Sequence, residues 1–102
     1  MLELRPNCEG CDKDLPVTST EACICTYECT FCRSCVENLL NNVCPNCGGG
    51  FSSRPIRPEK EHRKGVSLKN QPASTNRVNT KYTIQKIKEF SNTLKNTNPE
   101  SR

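Results

Sequence analysis

The cysteines of this chain constrain its fold more than any other feature. All nine lie within the first 47 residues, and eight of them form four ordered pairs: Cys8 with Cys11, Cys25 with Cys29, Cys32 with Cys35, and Cys44 with Cys47. A Cys-x2-Cys turn places two sulfurs on one side of a tight loop, within reach of a single ion. Structural zinc takes four such ligands in a tetrahedron. The series therefore predicts two closed zinc sites, each with four cysteine ligands.

The apolar residues of this chain are too few for a conventional hydrophobic core to stabilise the fold alone. Only 32% of the residues are apolar, there is no tryptophan, and aromatic residues make up 5%. One structural zinc site contributes roughly 10–16 kcal/mol in small peptides, which makes metal the expected source of stability. Disulfides are the alternative, but the cysteine count is odd and the segment 1–6 lacks the basic and apolar regions of an export signal. We therefore expect a cytoplasmic protein, and the absence of a long apolar run predicts no membrane span.

Three pairings of the cysteines compete. In a sequential scheme, as in LIM domains, the first two pairs bind one zinc and the last two bind the other. In a cross-brace, as in RING fingers, the first and third pairs share one ion while the second and fourth share the other. A single-zinc ribbon with four idle thiols is the third possibility.

The spacing between the cysteines favours the cross-brace. The series x2, x13, x3, x2, x2, x8, x2 falls inside the RING pattern at every gap, whereas LIM domains have a much longer loop where this chain has x8. The final Cys-Pro-Asn-Cys is also a common last knuckle of RING fingers. The predicted ligands of the first zinc are Cys8, Cys11, Cys32 and Cys35. Those of the second are Cys25, Cys29, Cys44 and Cys47.

Two other potential ligands are assigned no metal. Cys23 lies two residues before Cys25, and we interpret it as a free, partly buried thiol, although it could replace Cys25 as a ligand. His62, which is the only histidine, lies outside the cysteine-rich segment in a basic stretch and is expected to be solvated.

Local patterns predict a small metal-stabilised α+β fold of the treble-clef type. Residues 22–30 alternate enough for a short β-hairpin, and residues 33–42 are the best helix candidate because Val36, Leu39, Leu40 and Val43 form one apolar stripe. Ser34 is a candidate cap for this helix. We predict a zinc module over 1–53, a proline-containing basic connector over 54–79, and a tail over 80–102.

The tail contains a second candidate helix at about 80–95. Ile84, Ile87 and Leu94 share one face of it, and Asn79 or Thr80 could cap its start. Composition alone predicts that residues 54–78 are disordered.

Several strings closely resemble a small bacterial family known as domain-of-unknown-function family 1272. These are the opening Met-Leu-Glu-Leu-Arg-Pro-Asn-Cys, Cys-Asp-Lys-Asp-Leu-Pro, Glu-Cys-Thr-Phe-Cys, Cys-Pro-Asn-Cys-Gly-Gly-Gly-Phe, Arg-Pro-Ile-Arg-Pro and Pro-Ala-Ser-Thr-Asn-Arg-Val. The resemblance covers roughly residues 1–78 and implies a cytosolic bacterial protein with a RING-like zinc fold. Cys23 departs from the family, which supports the eight-ligand set without it. The resemblance also implies that residues 54–78 dock on the module or on a partner.

Charge divides the chain into two halves. Residues 1–50 carry three basic and seven acidic side chains, a net charge of −4, while residues 51–102 carry twelve basic and four acidic side chains, a net charge of +8. A basic tail beside an acidic module is electrostatically favourable, although each exposed pair contributes little. The basic half is also a candidate nucleic-acid surface, although it offers only Tyr82 and Phe90 for base stacking.

The function that these features favour is a structural zinc module for protein interaction, with an unidentified protein partner. Closed four-cysteine sites leave the metal no open position for water or substrate, so we expect no enzymatic activity and no small-molecule substrate. The alternatives are nucleic-acid binding through the basic half, ubiquitin-ligase-like activity, and thiol-based redox or metal sensing. Ligase activity is disfavoured because the first loop is only Glu9-Gly10 and Gly48 follows the last ligand.

Overall fold

The computed structural model describes all of residues 1–102, and a three-stranded antiparallel sheet organises its first half. Strand β1 is Ala22–Ile24, β2 is Thr30–Cys32 and β3 is Ser52–Ser53, in the spatial order β2-β1-β3. Cys23 lies opposite Phe31 of β2 and opposite Ser53 of β3. The hairpin of β1 and β2 confirms the predicted one. Strand β3 was not predicted, because two exposed serines carry no periodic signal.

The predicted first helix is confirmed, but its geometry changes along its length. Helix α1, Arg33–Cys35, follows β2 directly and continues as a π-helical turn, Val36–Leu40. Asn41 and Asn42 end the turn in the left-handed region, at φ 50° and 59°, which asparagine tolerates better than most residues. The predicted Ser34 cap is wrong: Cys32 occupies the cap position without a side-chain bond.

The core of the protein lies between the sheet, the first helix and the cysteines. Phe31 is fully buried and meets Phe51 edge-to-face, with ring centroids 5.5 Å apart and planes at 79°. The apolar stripe faces inward as predicted, with Val36, Leu40 and Val43 buried and Leu39 partly buried. Since most of the remaining core members are cysteines, the core and the metal-binding residues are one structure.

The second helix, α2, spans Ile84–Leu94 and lies within the predicted range. Its cap is Thr83, whose hydroxyl accepts the Lys86 amide at 3.2 Å, so the predicted caps Asn79 and Thr80 are wrong. Ile87 is buried in the core, but Ile84 is 62% exposed, contrary to the predicted shared face. The reason is that α2 packs on the first helix through its later turns, where the Ser91 hydroxyl donates to the Leu40 carbonyl at 2.9 Å.

The connector between β3 and α2 has no strand or helix, yet it is ordered against the module. Arginine side chains hold it: Arg54 is only 4% exposed and donates to the carbonyls of Arg5, Leu15 and Pro16 at 2.8 Å, 3.3 Å and 3.1 Å. Arg57 donates to the Leu2 carbonyl at 2.7 Å. The disorder expected from composition is therefore not observed.

Candidate metal centre

The first cysteine cluster unites the first and third pairs of the series. The sulfurs of Cys8, Cys11, Cys32 and Cys35 all lie within 4.8 Å of one another. The Cys11 and Cys32 sulfurs are 3.8 Å apart. A tetrahedral zinc with bonds of about 2.3 Å places its sulfur ligands about 3.8 Å apart. The donor type, the number of donors and their spacing therefore fit a structural zinc ion.

Two local structures bring these four sulfurs together. Cys32 is the last residue of β2 and Cys35 lies in the first helical turn, so the strand-to-helix junction presents both. The other two sulfurs, of Cys8 and Cys11, come from a tight turn over residues 8–11, here called the first knuckle. In this turn the amides of Gly10 and Cys11 donate to the Cys8 sulfur at 3.4 Å and 3.5 Å.

Gly10 allows the first knuckle to approach the core closely. A Cβ atom at this position would lie 3.3 Å from both the Cys35 sulfur and the Phe31 ring. A larger residue would therefore push the knuckle away from the helix that carries the other two sulfurs.

The second cluster unites one cysteine of the second pair with the fourth pair. The sulfurs of Cys25, Cys44 and Cys47 lie within 4.8 Å of one another. Backbone amides approach two of them, from Tyr27 to the Cys25 sulfur at 3.3 Å and from Gly49 to the Cys47 sulfur at 3.4 Å. These contacts fix the positions of the two sulfurs within the cluster.

Cys29, the predicted fourth ligand of this site, adjoins the cluster but does not lie within 4.8 Å of all three sulfurs. Its sulfur accepts a hydrogen bond from the Asn46 amide at 3.4 Å. Burial raises the pKa of Cys29, and the neighbouring Cys25 thiol raises it further, partly offset by that hydrogen bond. The second group thus consists of three clustered thiols with a fourth thiol at their side.

Cys23 belongs to neither cluster. It is 3% exposed, more buried than expected, and its sulfur lies 3.8 Å from the Glu21 carbonyl. Burial raises the pKa of the Cys23 thiol, which disfavours the thiolate. His62 is exposed, as expected, and neither cluster includes it.

The electrostatics of both clusters follow from packing several thiols in a buried space. Burial raises the pKa of Cys8, Cys35 and Cys44, and neighbouring thiols raise the pKa of Cys35 and Cys44 further. Cys11 is more exposed, and there hydrogen bonds outweigh desolvation and lower the pKa. Because a dication stabilises thiolates, binding of a metal would release protons from these groups.

Glu9 connects the first knuckle to the hairpin and was not predicted. Its carboxylate is 3% exposed and accepts the Thr30 amide at 2.6 Å and the Arg5 guanidinium at 2.7 Å. The amide of Glu9 in turn donates to the Thr30 carbonyl at 2.9 Å. Because Thr30 precedes Cys32 by two residues, Glu9 fixes the distance between the two halves of the first cluster. Its position between two cysteines was the only sequence signal for it.

The C-terminal half contacts the loops that carry both clusters. Near the first cluster, the Asn7 amide donates to the Val78 carbonyl at 2.9 Å. Near the second, Arg102 donates to the Gly48 carbonyl at 3.1 Å. Gly48 itself has φ +79°, and a Cβ atom there would lie 3.1 Å from the Leu94 side chain. Both metal loops are therefore held from the outside as well as by their sulfurs.

The helices of the protein are short and polar. None of them combines the length and the apolar character that crossing a bilayer demands.

Fold and clusters together define a small α+β protein with two cysteine groups able to hold metal ions. The chain belongs to the family described as "Protein of unknown function (DUF1272)", whose model matches residues 1–57. It is also similar to "Uncharacterized protein R02474" of Rhizobium meliloti (strain 1021), with 56% identity over 78 residues that cover 76% of this chain and 86% of that protein. No solved structure matches the chain significantly. The family expected from the sequence is thereby confirmed, and α2 lies outside the matched residues.

Proposed function

We propose that this protein binds two zinc ions in a cross-brace and serves as a binding module without catalysis of its own. The observation that carries the proposal is the grouping of the sulfurs. The first cluster joins cysteines that are 21 or more residues apart in the chain, Cys8 and Cys11 with Cys32 and Cys35. This grouping matches a cross-brace, whereas a sequential scheme would pair Cys8 and Cys11 with Cys25 and Cys29.

In the proposed second site, Cys29 completes the ligand set with Cys25, Cys44 and Cys47. Its sulfur already lies beside those of Cys25 and Cys44, which influence its pKa, and it accepts a hydrogen bond from the Asn46 amide at 3.4 Å. An amide hydrogen bond to a neutral thiol is weak compared with a zinc–thiolate bond, so the ion would recruit the Cys29 sulfur to the cluster.

The cross-brace links the two sites mechanically. Cys29 and Cys32 are three residues apart, yet they would bind different ions: Cys29 directly precedes β2 and Cys32 is its last residue. Loss of either ion would leave four cysteine side chains packed together without the dication that binds their sulfurs. Both sites would therefore be lost together, and the module would unfold as one unit.

Closed sites determine what the zinc can do. Four thiolates fill the coordination shell, so the ion offers no position to water or substrate and contributes stability alone. The thiolates outnumber the positive charges, which leaves each site with a net charge of about −2. We infer that the role of the protein lies in what its folded surface binds.

Native mass spectrometry of the protein purified under reducing conditions tests this proposal. We expect two zinc ions per chain. Cys11→Ser and Cys47→Ser should each lower the metal content and disrupt the fold, because each removes one ligand. Cys23→Ser is the matched control and should keep two ions. A wild-type content of one ion or none would contradict the proposal.

A further inference from the structure

The basic residues of the C-terminal half fall into two groups with different roles. Four arginines are engaged within the protein: Arg54, Arg57, Arg77 and Arg102 each donate hydrogen bonds to the module or to the chain around it. The other eight basic side chains are exposed and make no side-chain hydrogen bond or ion pair: Lys60, Arg63, Lys64, Lys69, Lys81, Lys86, Lys88 and Lys95. The positive charge that remains available to a partner is therefore carried almost entirely by lysines.

Four of these seven lysines lie on or beside α2, which borders a groove. The groove has a volume of about 600 Å³ and lies between α2 and the loop that carries Cys44 and Cys47, with Pro45 and Asn46 of that loop on one side. Tyr82, Lys86 and Phe90 line the other side. The two aromatic side chains are 38% and 39% exposed, and the helix places Lys86 and Phe90 on one face because they are four residues apart.

The composition of this groove indicates the chemistry of its occupant. Two half-exposed aromatic rings offer flat apolar surfaces, and Lys86 adds an exposed positive charge that forms no ion pair. Lys81, Lys88 and Lys95 contribute further positive charge elsewhere on or beside α2. Glu89, the acidic residue of the groove, accepts a hydrogen bond from Gln85 at 3.2 Å and forms no ion pair with a lysine. Single-stranded nucleic acid combines a negative backbone with unpaired bases that stack on aromatic side chains. A duplex stacks its base faces against one another and therefore fits the groove less well.

We propose that the groove between α2 and the Cys44–Cys47 loop binds single-stranded nucleic acid. Bases stack on Phe90 and Tyr82, and Lys86, together with the lysines flanking α2, contacts the phosphates. This role rests on the binding function proposed above, because the zinc loop forms one wall of the groove. It gives that function a partner and assigns α2, which lies outside the residues matched by the family model, to recognition.

Fluorescence anisotropy of labelled oligo(dT) of about 15 nucleotides, titrated with the zinc-loaded full-length protein at several salt concentrations, tests this assignment. Phe90→Leu retains an apolar side chain but removes the ring, and it should weaken binding about tenfold, within the range of one base–aromatic stack. Lys86→Ala should lower the slope of log affinity against log salt by about 0.7, the value for one phosphate contact on a single strand. Lys64→Ala removes the same charge from the connector, outside the residues that line the groove, and should change affinity less than twofold.

The alternative outcomes are distinguishable. Weak binding that Lys64→Ala and Lys86→Ala reduce equally, and that Phe90→Leu leaves unchanged, would show diffuse charge attraction and overturn the assignment. Tighter binding of poly-glutamate than of oligo(dT) would show that the groove accepts an acidic protein segment instead. Tyr82→Leu provides a second test of stacking outside the helix if Phe90→Leu loses its zinc. No binding by a protein that retains two zinc ions would refute this inference and leave the zinc proposal intact.

Discussion

The two halves of this protein are ordered by different physical means. Residues 1–50 contain the cysteines and the core, and among the buried hydrophobic residues only Ile87 lies outside them. Residues 51–102 contribute only Phe51 and Ile87 to that core and attach mainly through arginine hydrogen bonds to backbone carbonyls. A polar segment of low hydrophobicity can therefore be ordered when a rigid neighbouring surface presents backbone carbonyls as hydrogen-bond acceptors in fixed positions.

This difference implies a one-way dependence. The carbonyls that Arg54 contacts belong to Arg5, Leu15 and Pro16, which flank or adjoin the first knuckle. They have fixed positions only when the knuckle is folded. The second half should therefore require the first, while the first should tolerate many changes in the second.

Loss of a metal site should have the largest effect, because it removes both the ion and the rigid surface. Cys8→Ser should unfold the entire chain, at a cost on the order of 10 kcal/mol. Amide NMR spectra should lose their dispersion in both halves, including the signals of α2. Cys23→Ser is the control and should keep a native spectrum. Persistent native signals from residues 84–94 in Cys8→Ser would contradict the one-way dependence.

Loss of the buried arginine anchor should have the next largest effect. Arg54→Met fills a similar volume but leaves three carbonyls without their charged donor, at a cost of about 3 kcal/mol. Burial already lowers the pKa of Arg54, which shows that its charge is held in a poorly solvated position. Urea unfolding at a fixed free zinc concentration measures the change, with the exposed Lys60→Met as control. An equal stability of the two variants would show that the connector contributes nothing.

Truncation of the apolar contact of α2 should cost less. Ile87→Ala removes a 3% exposed side chain from the core, and we expect a loss of about 2 kcal/mol, at the low end for such changes because the site borders the surface. Ile84→Ala, in the first turn of the same helix and 62% exposed, is the matched control and should be nearly neutral. If the two substitutions had the same effect, the observed packing of α2 would be incorrect.

The smallest effect is expected at the surface ion pairs. Arg77 contacts Asp12 at 2.9 Å and Asp14 at 2.7 Å, but all three side chains are exposed and screened by salt. Arg77→Ala should shift the urea midpoint only slightly, and the shift should diminish further at high salt. A shift as large as that of Arg54→Met would mean that exposed charge, and not buried hydrogen bonding, attaches the second half.

The sequence predicted what depends on local periodicity and cysteine spacing. The hairpin, the first helix with its buried stripe, and the range of α2 follow from such patterns, as does the family. Caps were predicted poorly: Cys32 and Thr83 occupy the positions expected for Ser34 and for Asn79 or Thr80. A shift of a few residues along the chain changes the cap without changing the periodic pattern that predicts the helix.

The features that the sequence did not reveal depend on distant partners. Arg54 has the same local appearance as the exposed lysines that follow it, because its acceptors lie 38 to 49 residues away in the chain. Ile84 and Ile87 share a helical pattern, but only the position of the first helix decides which of them is buried. Composition reports the average environment of a segment, and it cannot report single buried hydrogen bonds.

Cadmium-113 substitution followed by proton–cadmium correlation NMR distinguishes a cross-brace from sequential pairing of the cysteines. Each cysteine ligand gives a correlation between its β-protons and the ion it binds. A cross-brace gives two cadmium resonances, one correlated with Cys8, Cys11, Cys32 and Cys35, and the other with Cys25, Cys29, Cys44 and Cys47. One resonance shared by Cys8, Cys11, Cys25 and Cys29 would contradict it and show sequential pairing instead.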